Sequence, residues 1–287
     1  MINFLKYTKF YVLISLLVIA SGLFSVFHWG YRVSIDFTGG TDLEYQTSTV
    51  VAVDQVKTVL QRHQIEAVTV EQRQKIVTLR VPAISDTQET TLRSDLAKQL
   101  NTKITLLRAE TVGPTLGSET MKKTLVACAL AIAGILLYMS FAFKNFNFAL
   151  AAVLAMFHDF LVVVGSYSLL SHFFGAQVDT LFVTAVLTTM SFSVHDTIII
   201  FDKIREYHRN EGKGDLINYA NRALTETMVR SLNNSMTIIF MLLALTLLGG
   251  SLIRFFAATL LIGTITGTYS SPFVATPILV WLEGRKK

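Results

Sequence analysis

Apolar residues gather along this chain in runs of about twenty, and only the stretch between the first and second runs shows the shorter periods of a water-soluble domain. A helix needs about 20 predominantly apolar residues to cross the roughly 30 Å hydrocarbon layer. Six stretches meet that requirement, at about 10–29, 124–143, 146–170, 180–201, 229–248 and 255–282. The pattern predicts an α-helical membrane protein with six transmembrane helices and both termini on one side. The first run follows Lys6 and Lys9 and ends in Phe27, His28 and Trp29 without a small-x-small cleavage site, so it predicts a retained anchor.

Residues 30–120 have a different rhythm. Positions 42–46 alternate as a strand, and Ser48 is expected to cap a helix with Val53, Val56, Val59 and Leu60 on one face. Stretches 68–71 and 75–81 predict a hairpin with Val77, Leu79 and Val81 on one side. Asp86 with Glu89 three residues on has the form of a helix start, and 104–112 closes as a strand. The order β-α-β-β-α-β predicts an α+β ferredoxin-like domain, extracytoplasmic and placed between the first and second helices. Gly113, Pro114 and Gly117 are expected to form a short loop into the second span, serving as a hinge or as a plain linker. The organisation expected is thus 1–29 for the N-terminus and first helix, 30–120 for the outer domain, and 121–287 for a five-helix bundle.

Composition agrees with a membrane protein: of 287 residues 52% are hydrophobic and 16% charged, against about 25% charged in soluble domains. Net charge is +5, too small and dispersed for a nucleic-acid surface, and the lone Cys128 permits no intrachain disulfide. Charge position is more informative than its sum. Segment 30–120 carries 10 basic and 11 acidic residues, whereas the remainder carries 15 and 9. Lys6, Lys9, Lys144, Lys203, Arg205, Arg209, Lys213, Arg222, Arg285, Lys286 and Lys287 fall on one side of the predicted spans. The opposite loops 171–179 and 249–253 have no Lys or Arg, so the positive-inside rule makes both termini cytoplasmic. Lys122, Lys123 and Arg254 sit at outer span ends, where long side chains reach the headgroups.

Ionisable groups inside a span cost roughly 2.5–3.5 kcal/mol each on insertion scales, which makes them functional candidates. His158 and Asp159 lie mid-way along the third span. In the fourth, Thr184, Thr188, Ser191 and His195 share a stripe, with Asp196 on the adjoining one; in the fifth, Arg230, Asn233, Asn234 and Thr237 share a face. These polar faces are expected to meet inside the bundle. Asp196 is about 8 Å of helix from Phe201, at 1.5 Å per residue, and Arg230 is similarly shallow, so the two are expected to pair. Burial favours a neutral acid and a neighbouring guanidinium favours a carboxylate, so withdrawing the arginine makes such an acid take up a proton. That is the chemistry of a proton relay; a static ion pair is the plainer alternative. Asp179 reads as a helix cap beside Thr180. No His-Glu-x-x-His helix, aspartyl-protease glycine motif or phosphate-binding loop occurs, so no enzyme, cofactor or metal site is expected.

Several motifs stand in order along nearly the whole chain: Asp36-Phe37-Thr38-Gly39-Gly40-Thr41, Val112-Gly113-Pro114 with Gly117, His158-Asp159, His195-Asp196-Thr197-Ile198, Phe201-Asp202-Lys203-Ile204-Arg205-Glu206, Arg230-Ser231 and Leu248-Gly249-Gly250. With them the sequence resembles the SecF family, the smaller subunits of the SecDF protein-export complex within the resistance-nodulation-division superfamily. The resemblance implies a proton-coupled subunit of the bacterial cytoplasmic (inner) membrane that helps export preproteins. It implies SecD as partner, together with the SecYEG channel, SecA-driven preprotein and YajC. In that family the Asp of the fourth span and the Arg of the fifth belong to the proton pathway, matching Asp196 and Arg230. The family pattern Gly-Tyr-Ser-x-Asn-Asp reads Ser191-Phe192-Ser193-Val194-His195-Asp196 here, so His195 brings an imidazole beside the acid. Two other readings are a small-molecule or lipid exporter of the same superfamily and a membrane scaffold whose outer domain binds partners.

Overall fold

The computed structural model describes residues 3–143, 145–212 and 214–284. Lys144, Lys213, Arg285, Lys286 and Lys287, used above to orient the chain, lie outside the described residues. After a 3-10 turn at Phe4–Tyr7 the chain forms α1 (Thr8–His28), β1 (Arg32–Val33), α2 (Ile35–Thr38), β2 (Gly40–Thr47), α3 (Val53–Arg62), β3 (Thr69–Arg73) and β4 (Ile76–Val81). There follow α4 (Asp86–Gln99), β5 (Ile104–Val112), α5 (Pro114–Phe143), α6 (Phe146–Phe174), β6 (Gln177–Val178), α7 (Thr180–Glu211), α8 (Leu216–Leu248) and α9 (Ser251–Ser270). A π turn (Ser271–Ala275) and α10 (Thr276–Gly284) complete it. Two compact units result, Val33–Val126 and the remainder, Met1–Arg32 with Ala127–Lys287.

In the Val33–Val126 unit, strands β2 to β5 build an antiparallel sheet in the order β3-β4-β2-β5. The period-2 pattern of these strands puts Leu43, Tyr45, Val77, Leu79 and Val81 on one face. That face closes on Val56, Val59 and Leu60 of α3 and on Leu92 and Leu96 of α4. Fully burying each aliphatic side chain stabilises by about 1.5–3 kcal/mol, so alternation and helical spacing together select this packing.

Both expected helix starts move. Ser48 does not cap α3: its N–H bonds the Lys103 carbonyl at 3.2 Å, and α3 begins after Ala52 without a side-chain cap. The cap of α4 is Ser85, in a reciprocal box with Gln88, while Asp86 is a first-turn acid beside the helix N-terminus. Glu89 does not serve as the box residue because it turns inward. It is buried, accepts the Tyr45 hydroxyl at 3.0 Å and meets Arg93 at 3.3 Å. Burial first, and the Glu89 carboxylate second, keep the Tyr45 phenol protonated far above its ordinary 10.0.

Among the described residues, five helices are long and apolar enough to cross a membrane: Phe4–His28, α5, α6, α7 and α8. The sixth apolar run, 255–282, is not one continuous helix. Pro272 lacks an N–H and its ring crowds the carbonyl four residues back, so the backbone widens at Ser271–Ala275 until the Thr276 N–H reaches the Ser271 carbonyl. Helices α7 and α8 outrun their apolar segments. Beyond them the two are tied by Arg222–Glu211 at 2.8 Å, Lys203–Glu226 at 3.4 Å and the Tyr207 hydroxyl on Glu226.

Small residues let the helices approach. A Cβ on Gly22 of α1 would lie 2.8 Å from the Gly165 Cα of α6, and beside this crossing the Ser25 and Ser168 hydroxyls bond at 2.8 Å. Helix α9 reaches α7 the same way, with Gly263 against the Thr189 side chain and Gly267 against the Ser193 backbone.

Tyr45→Phe leaves Glu89 short of a donor and is expected to destabilise the sheet unit by about 1–3 kcal/mol, read as faster hydrogen exchange in α4. A group whose folded pKa is raised contributes stability below its unfolded value and loses it as pH rises further. The native unit should therefore weaken above the ordinary tyrosine value of 10.0, and Tyr45→Phe should flatten that part of the profile.

Candidate functional site

Two buried carboxylates occupy the helical unit, each held by a different neighbour. Asp159 lies on the inward face of α6 and is 3% exposed. One carboxylate oxygen faces His158 Nδ1 at 2.8 Å, and the other accepts the Ser270 hydroxyl at 2.6 Å. The expected His158–Asp159 pair is thus present, with a third member that the sequence reading missed. His158 Nε2 is buried and has no partner among the described residues.

Asp196, 8% exposed on α7, accepts the Ser231 hydroxyl of α8 at 2.5 Å. It borders a cavity of about 340 Å³ with His195, Thr227, Arg230, Ser231 and Asn234. At about 30 Å³ of liquid volume per molecule, this space accommodates several waters. A recess of about 10 Å³ continues past His195, Asp196 and Asn234 toward Ser235, Gly267 and Thr268. The expected Asp196–Arg230 pairing needs correction. Arg230 shares the cavity, but the side chain that bonds the carboxylate is Ser231, one position and about 100° further round α8.

The polar faces do not all meet inside the bundle either. Thr184, Ser191 and His195 of α7 and Arg230, Asn233, Asn234 and Thr237 of α8 are exposed, and Thr188 is half-buried. Periodicity identifies a polar face without telling whether this chain or another covers it. Asp179 does cap α7, accepting the Phe182 N–H at 2.6 Å. One residue beyond Asp196, Thr197 bonds the Ser271 hydroxyl at 2.9 Å. Ser270 and Ser271 were absent from the sequence candidates; the available signal was Ser-Ser-Pro inside the last apolar run.

The glycine motifs come together in the sheet unit. Ser34 caps α2 by accepting the Asp36 N–H at 3.2 Å, and Phe37 is buried. Gly39 follows at φ 71° and Gly40 at φ 123°, conformations that side chains resist. A Cβ on Gly39 would lie 2.6 Å from the Pro114 Cα, and one on Gly117 would lie 2.7 Å from the Gly39 nitrogen. Gly113, Pro114 and Gly117 therefore do not form a loop. Strand β5 ends at Val112, Pro114 opens α5 where its missing N–H is harmless, and Gly117 inside α5 rests on the Gly39 backbone.

Residues 93–285 match the family model for the protein export membrane protein SecD/SecF, C-terminal. The chain is 38% identical to the protein translocase subunit SecF of Thermobaculum terrenum, across 99% of this chain and 95% of that protein. It is 36% identical to that of Anaerolinea thermophila over the same shares, 99% and 95%.

The chain belongs to the SecF family.

It also superposes on the crystal structure of SecDF, a translocon-associated membrane protein from Thermus thermophilus, with a TM-score of 0.85 and 32% identity. The match covers 99% of this chain and 39% of the SecDF chain, so in that relative a SecF-like part is fused to a larger remainder. Two motif glycines of this SecF-family chain, Gly39 and Gly117, are explained by backbone contact. Gly117→Ala should force the α2 loop away from α5 and expose the buried Phe37, seen as faster proteolysis near residues 34–40 with the helical unit unaffected.

Proposed function

We propose that this chain is a proton-motive-force-coupled auxiliary subunit of the Sec protein translocase, promoting preprotein export across the bacterial cytoplasmic membrane together with SecD. The observation that carries this reading is the exposed polar seam of α7 and α8 around the Asp196 cavity. Polar side chains facing lipid are costly, so a seam with Arg230 and His195 in it requires other membrane helices to cover it. A counterpart of the part of the SecDF chain that lies outside the match is the natural source of those helices.

In this reading α9, the π turn and α10 cross together as the sixth span, both termini are cytoplasmic, and the sheet unit is a ferredoxin-like domain on the outer face. The SecYEG channel, SecA-driven preprotein and YajC complete the assembly. Water in the cavity delivers a proton to Asp196. The ionised carboxylate accepts the Ser231 hydroxyl and attracts Arg230 across the cavity. The neutral acid no longer attracts the guanidinium, so α8 is free to shift against α7. His195 borders the same space and supplies a second proton-carrying group, and His158 with Asp159 forms a further one on α6. Moving one charge through 100 mV is worth about 2.3 kcal/mol, which biases a two-state packing by roughly fifty-fold.

Asp196→Asn and Arg230→Ala, at normal levels and with SecD bound, should abolish the part of preprotein export that responds to an imposed proton gradient, measured in inverted membrane vesicles. Undiminished gradient dependence in both variants would sink the proposal. Gradient-driven extrusion of a small molecule or lipid, with preprotein export unchanged, would replace it with an exporter.

A further inference from the structure

We infer that Ser270 and Ser271, where α9 gives way to its π turn, are positioning residues that couple the Asp159 site to the Asp196 site. The inference rests on the proton-relay reading and adds to it the element that links its two acids. Both serines are fully buried, at 0% exposure, and they are adjacent in sequence yet address different helices. Ser270 donates to the Asp159 carboxylate of α6 at 2.6 Å. The Ser271 hydroxyl bonds that of Thr197 of α7 at 2.9 Å and also lies within reach of two carbonyls, Gly267 of its own helix at 3.1 Å and Ser193 of α7 at 3.3 Å, so it contacts the residue next to Asp196.

Two features single out this junction. The π turn contains one residue more than an α-helical turn, pinned there by Pro272 and held by the Thr276 hydroxyl on the Ser271 carbonyl at 3.0 Å. Single π turns inside α-helices are frequent at functional sites. In addition, the buried side-chain polar atoms without a partner among the described residues are His158 Nε2 and Ser193 Oγ. They lie on either side of the turn, one beside Asp159 and the other on the residue whose carbonyl meets Ser271. Buried polar groups are ordinarily satisfied, so these two atoms leave hydrogen-bonding capacity on both sides of the turn.

The contact to α7 transmits a shift of α9 because there is no slack in it. Gly267 brings α9 so close that a Cβ there would sit 3.1 Å from the Ser193 Cα. Besides His158, the titratable group near Asp159 is Tyr269 of α9, 6.5 Å from the His158 ring centre to centre and bonded to Ser15 and Tyr11 of α1. A change of charge at Asp159 therefore acts on α9 through Ser270, and α9 acts on the Asp196 segment through Ser271.

The test uses vesicles containing the full chain with SecD and the translocation channel, and reads the gradient-dependent increment of preprotein export. A hydrogen bond to a charged group contributes about 1.5–3 kcal/mol, so Ser270→Ala should reduce that increment about ten-fold or more and leave ATP-driven export unchanged. Ser270→Cys keeps the shape but is a weak donor and should fail likewise, as should Ser271→Ala. Asp159→Asn combined with Ser270→Ala should be no worse than Asp159→Asn alone. Wild-type behaviour of Ser270→Cys would reduce Ser270 to a packing residue and overturn the inference, as would full gradient dependence in Ser270→Ala or additive losses in the double variant. Asp196→Asn is run beside them. If it too keeps its gradient dependence, the relay reading itself fails; if it alone loses it, only the coupling through α9 fails.

Discussion

A carboxyl group withdrawn from water must find its hydrogen-bond partners in the protein around it, and here that requirement decides which helix faces meet. Asp159 faces His158 of its own helix and accepts the Ser270 hydroxyl from the end of α9, which ties α9 to α6. Asp196 takes its donor from α8, which fixes the rotation of α8 and turns Arg230 and Asn234 toward the cavity. The glycines act at other crossings: those at 263 and 267 let α9 approach α7, and those at 22 and 165 let α1 and α6 approach each other. Acids and small residues thus fix different helix pairs of one bundle.

The sheet unit answers a different constraint with the same means. Its incoming segment, 34–40, and its outgoing helix, from Pro114, touch backbone to backbone, so the two connections of the unit are clamped to each other. A hinge at Gly113 would let these connections move separately. The packing of Gly117 on Gly39 holds them together instead.

The strands at 76–81 and 104–112 were legible because one face of each packs on the core, fully buried in the first and half-buried in the second, and the side-chain period is 2. The cap of α4 was misread because Glu89 carries a charge and looked solvent-facing, although Tyr45 and Arg93 hold it in the core. The acids Asp159 and Asp196 were visible as rare charges in apolar runs, but their partners were not. Serines such as 231, 270 and 271 are common in membrane helices, and nothing local distinguishes one that meets a carboxylate from one that bonds its own backbone. The Gly39–Gly117 contact was invisible for the reason that applies to any contact far apart in sequence: each glycine is explained by the other's position in space.

The central claim is that Asp196 carries protons once partner helices cover its cavity. The most direct measurement is proton flux into proteoliposomes containing this chain with SecD, followed with a trapped pH-sensitive dye under an imposed membrane potential. The account predicts flux with the native pair, none with Asp196→Asn, and none with either chain alone. Equal flux in native and Asp196→Asn vesicles would contradict it.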